Sequence, residues 1–204
     1  MNKLVTVGRG RLAATVLAVL LGACAGPGGQ PTSSGGSTAT QKATAEPTPS
    51  LTLATQTFTS TVHGFSVSYP EAWTAQPATE PWTDGAFPLS FPTPQVDWLY
   101  DPTLKSSLFL AIASQPISDS TPEDWVAGQM ASDEGCGTRT EPIAVDGARG
   151  LIGGAGCNVA VVTSAGRGYW IQLYTGSEAP VTYDAAWFDG VLATVQLHPE
   201  DAVD

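Results

Sequence analysis

Residues 25–50 contain no large apolar side chain: they are Ala, Gly, Pro, Gln, Ser and Thr, with one Lys and one Glu. Such a stretch cannot bury enough surface to offset the entropy of ordering its backbone, so it is expected to remain a solvated tether. Folding is thereby confined to the chain beyond it. Residues 1–23 read as a leader, 24–52 as the tether, 53–200 as one globular domain and 201–204 as a tail. As a flexible coil, the 26 residues of 25–50 would span about 28 Å.

The leader has a basic start, with Lys3, Arg9 and Arg11, followed by an apolar run over residues 12–21. Ten helical residues cover about 15 Å, against the roughly 30 Å of hydrocarbon that a permanent span must cross. This is the pattern of a secretion signal. It ends in LGAC, residues 21–24, which resembles the bacterial lipobox, where small residues precede a cysteine that is acylated and becomes the new first residue. Cys24 is therefore the expected lipid anchor. Each buried methylene of its acyl chains contributes about 0.8 kcal/mol to membrane binding. The expected location is the extracytoplasmic face of the cell membrane. Charge excludes other partners: after Cys24, five basic residues (Lys42, Lys105, Arg139, Arg149 and Arg167) stand against all nineteen acidic ones. Nucleic acid and anionic lipid are held by clustered Lys and Arg, so no nucleic-acid partner is expected.

Within the domain, residues 64–69 alternate large apolar with small polar residues, the period of a half-buried strand, and Pro70 ends the run. Residues 107–113 are apolar enough for a central strand. Further strands are predicted over 142–145, 157–163, 169–175 and 194–197, with turns at Asp146-Gly147 and Ala165-Gly166. Such short connections imply antiparallel neighbours. Two helices interrupt the strands. One starts at Thr121, a cap for the first free amides, with Pro122 at the first helical position and Glu123 and Asp124 at the positive end of the dipole; it is predicted to run to Ser132. The other carries Phe188, Val191 and Leu192 on one face, with Thr182 as its predicted cap. Hairpin strands with inserted helices give an α+β class with an antiparallel sheet, not a parallel nucleotide-binding sheet.

Residues 64–73, GFSVSYPEAW, resemble the opening strand of the PsbP-like superfamily. The order of the later elements is also similar: a hairpin turning at Asp101-Pro102, a helix starting Thr121-Pro122-Glu123, a strand after Val145-Asp146-Gly147, two more strands and a closing helix and strand, over residues 57–198. The resemblance implies a single domain with an antiparallel sheet flanked by helices, an α-β-α sandwich. Its nearest implication is a small secreted lipoprotein with no established activity. Photosynthetic members dock on a membrane complex as extrinsic subunits, and none of their contact residues can be carried over here. The superfamily acts mainly through adaptors, which points away from catalysis.

With Cys24 acylated, Cys136 and Cys157 remain as an even pair in an oxidising compartment, and a disulfide is expected. Closing that loop would stabilise the fold by about 3 kcal/mol in the chain-entropy model. Redox thiols usually lie two residues apart, and these do not. No metal or cofactor is expected, because no CxxC or HxxxH spacing exists; the nucleophile-elbow, zincin, phosphate-loop and EF-hand patterns are absent as well. His63 and His198 read as solvated strand-end residues, and the glycines of 147–156 as hairpin bends or bulges.

The segment 73–102 concentrates aromatics among prolines. Aromatics on a proline-braced surface make good anchors for a protein or a sugar ring. Trp82, between Pro81 and Asp84-Gly85, is the predicted exposed contact for an envelope partner. The second candidate is a cell-wall glycan, bound or hydrolysed, at Asp97, Trp98, Tyr100 and Asp101. That reading needs two carboxylates roughly 5–10 Å apart across a cleft.

Overall fold

Along the chain the described residues form β1 (Thr55–Thr59), β2 (Phe65–Pro70), β3 (Thr74–Gln76), β4 (Asp97–Tyr100), β5 (Leu108–Pro116), α1 (Pro122–Ser132), β6 (Thr140–Val145), β7 (Ala148–Gly153), β8 (Asn158–Ser164), β9 (Arg167–Thr175), α2 (Ala185–Leu192) and β10 (Gln196–Leu197). The structure is a computed structural model and describes residues 54–83, 85, 87, 90–132, 140–153 and 158–204. Cys24, Cys136 and Cys157, and the segments read as leader and tether, lie outside the described residues, which begin at Ala54.

All strand pairs are antiparallel, and the class is α+β as expected. The strands divide between two sheets: a large one in the order β3-β4-β5-β9-β8-β7-β6 and a small one in the order β1-β2-β10. The hairpin turns are set by backbone chemistry. Asp146-Gly147 and Ala165-Gly166 have φ values of 48°, 78°, 46° and 81°, the double left-handed pair whose twist matches the flanking strands. Asp146 also ties the β6–β7 turn to β10, its carboxylate accepting the Leu197 N–H at 2.9 Å.

The centre of the large sheet is covered on both faces. In β5, Leu108, Leu110 and Ile112 enter one core while Phe109, Ala111 and Ala113 enter the other; β9 splits Tyr169, Ile171 and Leu173 from Trp170 in the same way. The first core is closed by the small sheet and α2, through Phe65, Val67, Phe188 and Leu192. The second is closed by α1, through Val126 and Met130, and by Trp82 and Phe87 from the connection between β3 and β4. A strand buried on both faces reads as a continuous apolar run. That is how residues 107–113 read.

Both helices start at side-chain caps. Thr121 Oγ1 accepts the Asp124 N–H at 3.2 Å and donates to the Asp124 carboxylate at 2.9 Å, as the sequence predicts. For α2 the cap is Asp184, not Thr182: the Asp184 side chain accepts the Trp187 N–H at 2.9 Å, and Thr182 is exposed in the preceding turn. Asp and Thr both cap well, and the packing of Phe188, Val191 and Leu192 fixes which one stands at the first turn. Residues 201–204 are tied down rather than trailing. Val203 N–H bonds Val62 O at 2.8 Å, and the Asp204 carboxylate pairs with Arg167. Among the described residues no helix is long and apolar enough to cross a membrane.

The seat of α1 depends on a missing side chain. A Cβ added at Gly168 in β9 would stand 2.3 Å from the Trp125 ring. Gly168→Ala is expected to lift Trp125 and cost about 2 kcal/mol, as overpacking typically does. Gly128, exposed within α1 and with nothing within 4 Å of its added Cβ, should gain up to about 1 kcal/mol as Ala. Urea midpoints of the two variants should move in opposite directions; movement in the same direction would mean that α1 is not seated as described.

Candidate functional site

The turn between β1 and β2 buries a cluster of polar groups. Ser60 Oγ accepts the N–H of His63 at 2.9 Å and of Val62 at 3.3 Å, which turns the His63 ring inward. His63 is 0% exposed, so the expectation of a solvated strand-end residue is corrected. Its Nδ1 lies 3.1 Å from the Ser114 N–H, which can only donate, so the ring proton sits on Nε2 and is donated to Gln95 O at 3.0 Å. Burial pushes the imidazole down to about 4 against those two hydrogen bonds, and the nearby Arg167 guanidinium lowers it further. Ser114 Oγ donates to His63 O at 2.9 Å and accepts from Arg167 Nη1 at 3.3 Å. Serine, imidazole and carboxylate thus come close without making a nucleophile. Both ring nitrogens are engaged by backbone, and the serine meets a carbonyl instead of the ring. His198, half-buried after β10, fits its strand-end reading.

Asp97 belongs to the same cluster. It is 1% exposed; Oδ1 accepts the Ala78 N–H at 2.7 Å, and Oδ2 has no partner among the described residues. Burial pushes its carboxyl up to about 6, with hydrogen bonds from the Ser60 hydroxyl and Ala78 N–H pulling the other way. Asp101 differs. Burial alone would raise it, but the Thr103 hydroxyl, the Thr103 N–H and the Leu104 N–H hold it below the usual carboxylate range. Those contacts, at 2.6, 2.7 and 3.3 Å, make Asp101 the cap of the β4–β5 turn.

The glycan site is therefore not assembled as the sequence predicts. Side chains alternate along β4, so Asp97 lies on the face of Leu99 while Trp98 and Tyr100 lie on the other. Four residues of strand put Asp97 and Asp101 about 13 Å apart along the chain, beyond the spacing that the glycan reading needs. Trp98 is 1% exposed, its indole N–H donating to Thr93 O at 3.1 Å. Trp82 is also 1% exposed, a correction to its predicted role as an exposed contact. Its ring is edge-on to Phe87 at 5.6 Å and packs on Trp125 at 6.1 Å. Pro81 and Gly85 do mark irregular backbone, but irregular backbone over a bare sheet face turns its aromatics inward.

Tyr100 remains half-buried at the surface. Register places it opposite Phe109, and Phe109 opposite Tyr174, across three neighbouring strands. Phe109 stacks on Tyr174 at 5.0 Å and on Phe91 at 5.4 Å, and Phe91 is edge-on to Tyr100 at 5.5 Å. Tyr174, 44% exposed, ends this aromatic row in solvent. Sequence reading missed Tyr174 as a surface candidate; the strand containing it is legible, but its register through the buried Phe109 to Tyr100 is not.

Two open hollows of about 270 Å³ flank the body, one between α1 and β7–β8 beside Glu123 and Arg149, the other between β2 and α2 beside Tyr69 and Trp187. Neither contains a buried ionisable group other than the Tyr69 phenol, which burial raises. Among the described residues, His198, Glu200 and Asp201 place one possible metal-ligand atom each within 4.8 Å of one another, on a surface turn.

No protein-family model matches the chain, and no curated protein matches it. Among solved structures it is similar to cyanobacterial PsbP (CyanoP) from Synechocystis, at 17% identity over 71% of this chain and 93% of that one, with a TM-score of 0.45. It is also similar to a protein from Bacteroides thetaiotaomicron, at 11% identity over 70% of this chain and 48% of that one, with a TM-score of 0.43.

Proposed function

We propose that the protein is a noncatalytic lipoprotein, anchored through Cys24 to the outer face of the membrane, whose domain binds an envelope partner. The aromatic row ending at Tyr174 carries this reading. Among the described residues Tyr174 is the large aromatic ring that stands exposed, while Asp97 and His63, a carboxyl and an imidazole of perturbed acidity, are enclosed. Aromatic rings held rigid by their neighbours lose little entropy on binding and make effective anchors. Tyr174, Phe91 and Tyr100 would be the contact, in place of Trp82.

The disulfide between Cys136 and Cys157 is part of this proposal. Its support lies in the flanking strands. Thr140 of β6 pairs with Gly153 of β7, and Ile152 of β7 pairs with Ala160 near the start of β8, so the described residues that follow the two cysteines lie at the same end of β6 and β8, on either side of β7. Three neighbouring strands span about 10 Å.

Cells fed labelled palmitate should yield labelled membrane-bound protein, and Cys24→Ala should be unlabelled. Denatured and alkylated without reductant, the same mature protein should leave Cys136 and Cys157 unmodified. Label retained by Cys24→Ala, or two alkylated thiols, would reject the anchor or the bridge respectively. For the contact, a photocrosslinker at Tyr174 should form a discrete adduct in intact cells and one at Thr57, on the exposed side of β1, should not; equal yields would remove the aromatic row as the binding surface.

A further inference from the structure

The stretch joining β3 to β4 supplies Trp82 and Phe87 to the second core, so the cover of that core depends on how its two ends are fixed. Its ends are bonded to each other, Thr79 and Glu80 N–H both reaching Pro94 O at 2.8 and 3.1 Å. Each end is then held by one buried ionisable side chain. Asp97 Oδ1 takes the Ala78 N–H at the start, and His63 Nε2 holds Gln95 O at the finish. Ser60 links the two holders, accepting the His63 N–H and hydrogen-bonding Asp97.

We propose that Asp97 and His63 form a proton-compensated clasp, in which protonation of Asp97 tightens the β3–β4 connection on the sheet while protonation of His63 loosens it, so that acidification leaves the connection docked.

The two signs come from burial. An ionised Asp97 has an Oδ2 without a partner in a sealed site, so adding a proton removes an unfavourable buried charge. Its carboxyl is raised to about 6 by burial against Ser60 and Ala78, and docking therefore strengthens as pH falls through 6 toward the free value near 4. A proton added to His63 must go to Nδ1, where it would meet the Ser114 N–H donor to donor. The ring is lowered to about 4, by burial first and by Arg167 as well, so docking weakens as pH falls from 6.5 toward 4. Of the groups facing His63, Ser60, Gln95 and Ser114 are neutral and Arg167 is the charged one, itself paired with the exposed Asp204. The Tyr169 hydroxyl nearby donates to Gly64 O. Asp97 meets the Ser60 hydroxyl and the Ala78 N–H. Between pH 7 and 5 the Asp97 titration alone strengthens docking by about tenfold and the His63 titration alone weakens it by about twentyfold, leaving a net change of about two- to threefold.

Amide exchange by NMR on the mature protein, corrected for intrinsic rates, reads this at Ala78, Thr79, Glu80 and Ser114. Wild-type protection should change less than about threefold between pH 7 and 5. In Asp97→Asn the tightening is lost, and protection should fall by about twentyfold on the same acidification; in His63→Gln it should rise by about tenfold. The α2 amides of Phe188 and Val191 serve as the global reference. A flat profile in Asp97→Asn overturns the proposal even if His63→Gln does not fold. So does a wild-type profile that itself falls tenfold, or a change that the α2 amides share.

Discussion

The His63 ring ties the two sheets, and its bond to β5 holds only while Nδ1 is unprotonated. The ring leaves the β1–β2 turn of the small sheet, accepts from the backbone of β5 in the large sheet, and donates to the backbone just before β4. These directed bonds of about 3 Å set the three elements against one another, beside the bonds from Ser114 Oγ to His63 O, from Tyr169 OH to Gly64 O and from Leu197 N–H to Asp146. Around it the packing leaves no slack. A Cβ on the neighbouring Gly64, whose φ is +62°, would stand 2.2 Å from His198 O, so the turn and the C-terminal segment lie backbone against backbone. Arg167 then closes the cluster by holding Ser114 on one side and Asp204 on the other.

This arrangement explains why reactive side chains gather without a reaction centre forming among the described residues. A catalytic imidazole needs one free ring nitrogen and a route for substrate, and a buried carboxylate acid needs a cleft. His63 and Asp97 instead spend their hydrogen bonds on backbone at the two ends of one connection. That connection, in turn, brings Trp82 and Phe87 over the face of β5 and β9, where Phe87 stacks on Trp170 at 4.9 Å. On the outer surface β4, β5 and β9 set Tyr100 and Tyr174 on either side of the buried Phe109.

Local signals in the sequence were enough for much of the frame. Alternation marks β2, the unbroken apolar run marks β5, and Asp146-Gly147 and Ala165-Gly166 mark the hairpins, because each depends on neighbours in sequence. The cap at Thr121 was legible for the same reason. β1 was not, since four of its five residues are exposed and only Phe58 reaches the core. The site was harder still. Whether Trp82 points out or in depends on the bare sheet face beneath it, which consists of residues far along the chain such as Phe109 and Trp170. His63 looks like a surface histidine in its local context of Thr61, Val62 and Gly64, and only the arrival of Ser114 and Gln95 from other strands makes burial tolerable. Asp97 looked like half of a carboxylate pair because spacing in sequence does not show that Asp101 is bound up in its own turn.

The neutrality of His63 can be measured directly. In a ¹⁵N NMR titration of the imidazole in the mature protein, the ring should remain in the neutral form with its proton on Nε2 as pH is lowered from 8 to 5, and begin to charge only near 4. A ring that takes up its proton near 6.5, or that carries its neutral proton on Nδ1, would contradict the bonding that ties the sheets together.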